Sequence, residues 1–571
     1  METQLPVTPA RDMTVDLVVI GSGTGMAAAL AAHERGLSTL IVEKTEFVGG
    51  STARSGGAFW IPGNRIMRDS GSHDTTDRAA EYLKSLIGDP ALEERWTTYL
   101  ANGSATVDML LRTTPLEFFW TKGYSDYHPE LPGGSAVGRT CESKPFNASI
   151  LGAERARVRP SSIEGPVPLP IAGADFKWLN MMARVPWRGI PALIKVLAKG
   201  FGGKARGREY ITAGQALVAG MYAGVLDAGI PVWTRTSLDR ILTEDGRVVG
   251  VSLTQDGRRV TVTANEGVVL AAGGFDHDVE MRREHQLESY EAGWSLGNEA
   301  NTGEGIKAAV DVGAELGSMD QAWWFPEVAP VPGGDPLVML AERSLPGSFI
   351  VDGSGRRFIN ESTDYMTFGQ AVQARERAGN PVGDMWIVFD KRYRNSYMFA
   401  GAVFPRMDLP AAWYESGVAH RASTVEELAR SIGVDPGTLA ATFHRFNELA
   451  ETGSDDDFNR GASAYDRYYG DPTVVPNPCL RPLGGDLYAV KVVLGDLGTC
   501  GGVCVDEFGR VVRSDGEVIE GLYALGNNAA NAFGKFYPGA GATIGQGLVF
   551  AYVVAEHAAR QRAALRIPAS N

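Results

Sequence analysis

The sequence predicts an α/β fold in which a parallel sheet, covered by helices on both faces, is interrupted by an inserted α+β domain. Two observations predict the sheet. A β-branched run at 15–20 leads into a glycine cluster and alanine-rich helical sequence, and a second apolar run follows at 38–42. A third observation predicts the insertion, because strand-like and helical patterns become irregularly mixed over residues 317–490. We therefore expect a Rossmann-like unit with a second domain inserted into it.

The glycine cluster is the feature around which the chain is organised. Gly21 and Gly23 permit a tight turn and let a pyrophosphate lie against bare backbone at the N-terminus of the next helix. Glu43 ends the second strand, 22 residues after Gly21, where a carboxylate can hold an adenosine ribose. Met26 stands where the G-x-G-x-x-G pattern has its third glycine, so Gly25 and the following alanines must keep the helix face small. The alternative is an ordinary βα turn, and Glu43 favours dinucleotide binding.

A second loop of small residues, at 49–57, suits a long cofactor whose isoalloxazine ring must pass close to backbone. Two further strand patterns run into glycine, at 267–274 and 521–527. This layout resembles the FAD-binding domain of the succinate dehydrogenase/fumarate reductase flavoprotein superfamily. No second G-x-G-x-x-G follows a strand, so we expect no separate nicotinamide site.

The resemblance implies FAD as the cofactor. The covalent flavin link of the superfamily uses a histidine, and residues 51–55 contain none, so we expect FAD to be bound non-covalently. The implied cofactor-binding residues are Gly21, Ser22, Gly23, Thr24, Gly25, Glu43, Lys44, Gly50, Ser51, Thr52, Ser55, Gly56, Gly57, Ala272, Gly273, Asn301, Gly303, Gly526, Asn527, Gly541, Thr543 and Ile544.

Composition narrows the functional class. A chain of 571 residues can bury a large core, and its formal net charge of −14 argues against nucleic acid as a partner. Four cysteines are too few for a disulfide scaffold, and Cys500 and Cys504 lack the histidine pair of a metal site, so we predict no metal. The first 14 residues hold no signal-like apolar run, and no apolar run reaches membrane-spanning length. We therefore expect a cytoplasmic protein.

The order of patterns predicts the domain boundaries. Helical periodicity at 78–112 precedes an irregular excursion at 129–175, and a meander with strands at 248–255 and 259–264 precedes the 267–274 segment. Residues 301–305 open a helix whose backbone and Glu304 are expected at the flavin end of FAD. We predict a FAD-binding domain over 1–316 and 491–571, and a catalytic domain over 317–490.

Residues 176–208 differ from the rest of this acidic chain. They contain eight cations and no acidic residue, interleaved with large apolar side chains. Such a mixture is typical of a surface that contacts a membrane interface, and we predict peripheral contact with the inner face of the cytoplasmic membrane. The alternative is a core helix with a solvated basic rim. The cations are Lys177, Arg184, Arg188, Lys195, Lys199, Lys204, Arg206 and Arg208.

The candidate substrate-binding segments are aromatic. The chain has only eight histidines, in no obvious cluster, whereas binding a dicarboxylate needs arginines and histidines, so an apolar substrate with a carbonyl is favoured. Three segments resemble the 3-ketosteroid Δ1-dehydrogenases, a branch of the superfamily. They are Ser125-Asp126-Tyr127, the stretch from Arg357 to Tyr365, and the stretch from Phe536 to Gly545, which contains Tyr537-Pro538-Gly539-Ala540-Gly541.

That resemblance implies 1,2-dehydrogenation of a 3-ketosteroid, with FAD reduced and a quinone or other acceptor taking the electrons. Tyr537 and the Gly541 N–H would hydrogen-bond the C3 oxygen and stabilise an enolate. Tyr365 would take the C2 proton, with Tyr127 as its hydrogen-bond partner, and Tyr124 competes with Tyr127 for that place. The C1 hydride would pass to the flavin.

Two other functions remain open from the sequence. A flavin enzyme acting at another ketosteroid bond, such as the Δ4-(5α) bond, would share the fold and arrange its acid and base differently. A flavin-bearing electron-transfer subunit at the membrane would have no need of Tyr365.

Overall fold

The structure is a computed structural model that describes residues 8–161 and 170–566. Parts of the predicted N-terminal segment, of the excursion at 129–175 and of the last domain segment therefore lie outside the described residues. The strands are β1 (Met13–Ile20), β2 (Thr39–Val42), β3 (Phe59–Trp60), β4 (Phe118–Trp120), β5 (Thr140–Ser143), β6 (Phe146–Asn147), β7 (Tyr210–Ile211), β8 (Val232–Trp233), β9 (Thr236–Glu244), β10 (Arg247–Gln255), β11 (Arg258–Leu270), β12 (Leu316–Gly317), β13 (Ala322–Val328), β14 (Leu337–Val338), β15 (Ser348–Val351), β16 (Met385–Asp390), β17 (Ala419–Ala422), β18 (Leu487–Thr499), β19 (Gly502–Val503), β20 (Arg510–Val512) and β21 (Val518–Ala524).

The segments between these strands form the α-helices, and a last helix follows β21. They are α1 (Gly25–Glu34), α2 (Gly50–Arg54), α3 (Arg65–Asp69), α4 (Thr76–Ile87), α5 (Glu93–Thr113), α6 (Gly173–Asn180), α7 (Pro186–Lys204), α8 (Ala213–Asp227), α9 (Val279–His285), α10 (Glu304–Val310), α11 (Tyr365–Arg377), α12 (Lys391–Ser396), α13 (Ala411–Glu415), α14 (Val425–Ser431), α15 (Pro436–Thr452), α16 (Ala464–Tyr469) and α17 (Ala542–Arg566).

The first sheet has the predicted parallel centre. Its order is β20-β21-β11-β1-β2-β8, in which β21, β11, β1, β2 and β8 run parallel to one another and β20 pairs antiparallel with β21. The run from Leu17 to Val19 is fully buried because helices cover both faces, as a parallel sheet requires. Gly25 replaces the missing third glycine, since a Cβ there would lie 2.8 Å from Val19 Cγ1, while Met26 is fully buried on another side of α1.

One long strand replaces the two predicted around residue 265. β11 pairs antiparallel with β10 over its first half and parallel with β1 over its second half, so it belongs both to the meander and to the central sheet. The register between β11 and β1 is interrupted between Ala264 and Gly267. Glycine is needed at 267, because its φ of 140° and its approach to Gly521 leave no room for a Cβ. The helical pattern at 78–112 is likewise two helices, α4 and α5, separated by a turn at Pro90.

The second sheet is formed by strands of the segment at 317–490, in which strand-like and helical patterns are mixed. Its order is β14-β13-β18-β16-β15, with β17 also paired to β18, and all of its pairs are antiparallel. β18 continues to Thr499, so this sheet extends past the predicted boundary at residue 490. A single hydrophobic core runs from α1 and α17 through to β13 and β16.

The basic segment forms two helices, α6 and α7. On α7, four large apolar side chains follow helical spacing and are exposed by 66%, 48%, 59% and 56%, at Trp187, Ile190, Ile194 and Phe201. The opposite face, with Ala192 and Val196, is buried. Two of the eight cations are neutralised by residues outside the segment, Lys195 by Asp175 and Arg184 by Asp471. Across the described residues, none of the helices combines the length and apolar character needed to cross a membrane.

Candidate active site

A groove for a dinucleotide lies at the carboxyl ends of the parallel strands. The glycine turn after β1 holds Gly21 at a φ of 107°, and a Cβ there would lie 2.2 Å from the Ala271 carbonyl oxygen. The Ser22 hydroxyl donates to the buried carboxylate of Glu43 at 2.6 Å, and the Gly49 N–H donates to Ser22 Oγ at 2.9 Å. The first turn, the end of β2 and the second small-residue loop therefore meet at one edge of the sheet, where ligands of such folds bind.

The second small-residue loop is tied to the segment before α10. Asn298 N–H and Asn301 Nδ2 both donate to Ser51 Oγ at 2.9 Å, and Asn301 Nδ2 also lies 2.7 Å from Asp276 Oδ2. Thr52 faces the first turn, because a Cβ on Gly23 would lie 3.2 Å from its hydroxyl. The structure thus brings Ser51, Thr52 and Asn301 to the same groove.

The C-terminal segment closes the groove from the other side. Cβ atoms built on Gly526 and Gly547 would lie 3.2 and 2.8 Å from the Thr24 hydroxyl oxygen and methyl carbon respectively, so the start of α17 packs against the first turn. Asn527 Oδ1 accepts a hydrogen bond from Trp323 Nε1 at 3.0 Å, which links this groove to the inserted sheet. The structure therefore brings predicted cofactor-binding residues from five distant segments together, at 21–24, 43, 49–52, 298–301 and 526–527.

Glu304 differs from its expected place. Its carboxylate pairs with Lys44 and accepts a hydrogen bond from Thr302 at 2.6 Å. Lys44 directly follows Glu43, so Glu304 lies at the end of the groove that Glu43 marks and not at the end expected to hold the flavin ring. The reason is electrostatic, because the Lys44 ammonium at the end of β2 attracts the carboxylate at the first turn of α10.

The groove fits FAD. A Cβ on Gly50 or Gly56 would meet no atom within 4 Å, so these glycines border open space. The Glu43 carboxylate is 6% exposed and suits a ribose hydroxyl, and two helices, α1 and α17, begin beside the groove with N–H groups that suit phosphate and carbonyl oxygens. In the fold family, FAD binds at such an edge, and this donor set is compatible with it.

Three tyrosines converge next to the start of α17. The ring centroids of Tyr127 and Tyr365 are 5.3 Å apart, those of Tyr127 and Tyr537 are 5.3 Å apart, and those of Tyr365 and Tyr537 are 5.5 Å apart. Each tyrosine is at most 6% exposed. These separations leave no room for another ring between the three tyrosines.

Tyr365 is the first residue of α11, and the local sequence explains its position. Asp364 caps the helix by accepting from the Thr367 N–H at 2.9 Å, and the buried guanidinium of Arg343 donates to the Thr363 carbonyl at 3.0 Å. Burial holds the pKa of Tyr365 well above its ordinary value and Tyr537 adds to the rise, whereas interaction with Tyr127 opposes it. Phe325 packs on the Tyr365 ring at 4.5 Å.

Tyr537 and Gly541 stand at the N-terminus of α17. Thr543 Oγ1 donates to the Tyr537 hydroxyl oxygen at 3.1 Å, which leaves the tyrosine proton for another acceptor. Thr543, predicted as a cofactor-binding residue, is therefore in contact with Tyr537. Gly541 directly precedes the helix, where N–H groups have no partner within the helix and the helix dipole favours negative charge.

The Tyr127 hydroxyl is buried and makes no well-formed hydrogen bond within the described residues. A buried unpaired hydroxyl marks a place where a ligand or a neighbouring group completes the bonding. Tyr124, the competing candidate, stacks on Tyr468 at 4.6 Å and accepts from the Tyr469 hydroxyl at 2.7 Å. Tyr127 is therefore the residue that faces Tyr365.

Sequence reasoning missed the tyrosines of α16. Tyr465 packs on Tyr127 at 4.8 Å, and Tyr469 holds Tyr124. The signal was the density of aromatic residues at 465–469, in a segment that the motifs did not cover.

The chain is similar to known flavoproteins over most of its length. The family model described as "FAD binding domain" matches residues 16–544. The chain is 43% identical over 562 residues to a curated 3-oxosteroid 1-dehydrogenase of Mycolicibacterium smegmatis, covering 96% of this chain and 98% of the relative. It is 44% identical over 557 residues to the 3-oxosteroid 1-dehydrogenase of Mycobacterium tuberculosis, covering 96% and 98% of the two chains. A solved structure of 3-ketosteroid delta1-dehydrogenase from Sterolibacterium denitrificans, in complex with 1,4-androstadiene-3,17-dione, superposes with a TM-score of 0.90 at 37% identity, covering 96% of this chain and 100% of that one.

Proposed function

This chain belongs to the family of FAD-binding flavoproteins that includes the 3-oxosteroid 1-dehydrogenases, and we propose that it catalyses FAD-dependent 1,2-dehydrogenation of 3-ketosteroids. The observation that carries the proposal is the convergence of Tyr127, Tyr365 and Tyr537 at the start of α17, beside the dinucleotide groove. Three phenols and one helix N-terminus in an aromatic surrounding suit an apolar ring that bears a single ketone.

The first role of the site is to hold the C3 oxygen. Loss of the C2 proton places negative charge on that oxygen, because the product of proton loss is an enolate. The Tyr537 hydroxyl and the Gly541 N–H are suited to donate to it, and the N-terminus of α17 adds a favourable field. These groups make the C2 proton more acidic without themselves moving.

The second role is to take the C2 proton, which we assign to Tyr365. Burial disfavours the Tyr365 phenolate, whereas Tyr127 favours it. Tyr127 therefore lowers the pKa of the base that burial raises. Bound FAD supplies the two-electron acceptor that removal of the C1 hydrogen as hydride requires. The substrate thus loses a proton from C2 and a hydride from C1, and a C1–C2 double bond forms.

The test is an anaerobic titration that follows bleaching of the flavin absorbance. We expect 4-androstene-3,17-dione or cholest-4-en-3-one to bleach the wild-type protein. Both steroids already carry the Δ4 bond, so bleaching by them is not explained by Δ4-(5α) dehydrogenation. Tyr365→Phe should retain FAD and bind steroid but reduce flavin about 10²–10⁴-fold more slowly, since it lacks the general base.

Tyr414→Phe is the matched control, because it removes a phenol hydroxyl bonded to Asp408 at the exposed rim of the inserted sheet. It should reduce flavin at the wild-type rate. Bleaching only by 5α-reduced steroids would support the Δ4-(5α) alternative. Near-normal reduction by Tyr365→Phe would overturn the assignment of the base.

We also propose that the segment 176–208 docks on the cytoplasmic face of a membrane. Its support is the exposed apolar stripe of α7, flanked by the cations at 199–208. Lys199, Arg206 and Arg208 border a surface depression of about 200 Å³ at the end of α7. Cations over an apolar stripe suit anionic headgroups and the acyl boundary beneath them. Steroids and a quinone acceptor both partition into bilayers, so docking would shorten the path of each to the site.

A further inference from the structure

The orientation of one peptide bond decides whether the Gly541 N–H points at the substrate. In a trans peptide the carbonyl of one residue and the N–H of the next point in opposite directions. The direction of the Gly541 N–H is therefore set by whatever holds the Ala540 carbonyl. That partner is Thr140 at the start of β5, whose hydroxyl donates to Ala540 O at 2.9 Å.

The neighbouring carbonyls of the loop are held as well. Pro538 O accepts from the Tyr127 N–H at 3.2 Å and from the Tyr82 hydroxyl at 2.8 Å, and Gly541 O accepts from the Trp60 N–H at 3.1 Å. These donors flank the 540–541 peptide but do not bond it. Among the hydrogen bonds of the described residues, only the Thr140 bond acts on the peptide that carries the Gly541 N–H.

Gly541 makes this restraint necessary. Its φ is 90°, a region that glycine enters freely, so the backbone at 541 offers little resistance to a flip of the 540–541 peptide. A flipped peptide would present the Ala540 carbonyl oxygen, an acceptor, where the enolate needs a donor. Thr140 is 1% exposed, so its hydroxyl has no competing bulk water.

We propose that Thr140 is a positioning residue that locks the 540–541 peptide so that the Gly541 N–H donates to the C3 oxygen. The inference rests on the proposed function, because it assumes that the C3 oxygen binds at Gly541. Thr140 itself touches neither substrate nor cofactor in this scheme. It acts through the Ala540 carbonyl alone.

The experiment compares Thr140→Val with Thr140→Ser. Valine keeps the shape of threonine and removes the hydroxyl, whereas serine keeps the hydroxyl. We expect Thr140→Val to retain FAD and to reduce flavin with 4-androstene-3,17-dione about tenfold to a hundredfold more slowly, with the loss in the limiting rate rather than in KM. Thr140→Ser should restore most of the rate.

A spectroscopic readout separates orientation from general loosening. The stretching frequency of the C3 carbonyl of bound 1,4-androstadiene-3,17-dione, measured by difference infrared spectroscopy, falls as hydrogen bonding to that oxygen strengthens. We expect it to rise in Thr140→Val and to return in Thr140→Ser. Thr106→Val is the matched control, since the buried Thr106 hydroxyl also donates to a backbone carbonyl at 2.9 Å, within α5.

The outcomes distinguish the two proposals. If 4-androstene-3,17-dione fails to bleach the wild-type flavin, the proposed function is wrong. If it does bleach the wild type but Thr140→Val keeps the wild-type rate and carbonyl frequency, the positioning role is wrong. The role is equally wrong if Thr140→Val and Thr140→Ser lose FAD or activity alike, because then the hydroxyl is not what matters.

Discussion

Tyr365 must lose a proton before it can accept one, and its surroundings oppose that loss. Burial and the neighbouring Tyr537 raise the pKa of Tyr365 well above its ordinary value, and only Tyr127 acts against the rise. At neutral pH the phenolate is therefore a small fraction of the enzyme. The small phenolate fraction is offset by higher reactivity, because a phenolate of raised pKa is a stronger base.

The upward shift of the Tyr365 pKa determines how the reaction rate depends on pH. Because the reactive form is the deprotonated one and its pKa lies above neutrality, we expect the rate of anaerobic flavin reduction to rise with pH through the neutral and mildly alkaline range, by at most about tenfold per pH unit. Stopped-flow reduction at saturating steroid measures it. A rate that falls over this range in the wild type would contradict Tyr365 as the base.

At the scale of single elements, α17 is the helix on which the site depends. It begins at Ala542, directly after Gly541, and its first turn lies against Thr24 of the dinucleotide groove. The structure therefore places one helix N-terminus beside both candidate binding regions. Its dipole favours negative charge in either of them.

Gly541→Ala tests whether the close contact of Gly541 with the Ala58 backbone is needed for stability and turnover. A Cβ at 541 would lie 2.4 Å from the Ala58 carbonyl group, and a φ of 90° strains any other residue. We expect a loss of about 1–2 kcal/mol in the free energy of unfolding, and a further loss of about 3 kcal/mol in transition-state stabilisation as the N–H is displaced. Denaturant unfolding and flavin reduction measure the two losses.

Gly521→Ala is the control for that variant. Gly521 has a φ of 78° and a Cβ there would lie 2.5 Å from the Val248 carbonyl oxygen, so the strain is similar but far from the tyrosines. Gly521→Ala should lower the free energy of unfolding without the loss of turnover that we expect for Gly541→Ala. Equal losses of turnover in both variants would contradict a role for the Gly541 N–H.

The sequence predicts some elements better than others, for physical reasons. β1, the glycine turn and β2 were predicted because burial on both faces and a phosphate-binding turn leave local patterns. The sequence pattern divides β11 in two at Gly267, because the approach of Gly267 to Gly521, 254 residues away in the chain, leaves no local pattern. The local sequence does not predict the position of Glu304, because its ion pair with Lys44 is a long-range contact.

The residues of the candidate site likewise fall into those that the sequence predicts and those that it does not. Tyr127, Tyr365 and Tyr537 lie in segments with family motifs, and the structure brings them together. Tyr465 and Tyr469 contact the site from α16, and Thr140 contacts it from β5. The aromatic density at 465–469 is a local signal for the two tyrosines, although no motif covers it. Thr140 has no local pattern that differs from ordinary core packing, so only the folded arrangement reveals it.

At the scale of the whole molecule, the exposed stripe of α7 and the cations beside it predict how the protein meets its surroundings. We expect it to float with liposomes that contain anionic lipid at low salt, and to be released at high salt, because each cation near the surface contributes about 1 kcal/mol. Changing Lys199, Lys204, Arg206 and Arg208 to Gln should abolish flotation and leave flavin reduction unchanged.

The control changes an equal number of exposed arginines elsewhere, Arg65, Arg258, Arg259 and Arg560, to Gln. That variant should float like the wild type. Flotation that is equal in all three proteins, or absent from all three, would remove the membrane role and leave α7 as a solvated cover.

The four groups assigned to the chemistry come from separate parts of the chain. Tyr365 begins α11, which packs on the inserted sheet, whereas Tyr537 and Gly541 directly precede α17, and Tyr127 is tied to the Tyr537 loop through the Pro538 carbonyl. The group that takes the proton and the groups that hold the ketone therefore have different supports. A steroid held at C3 by Tyr537 and Gly541 would be anchored but inert wherever Tyr365 was out of reach of its C2 proton.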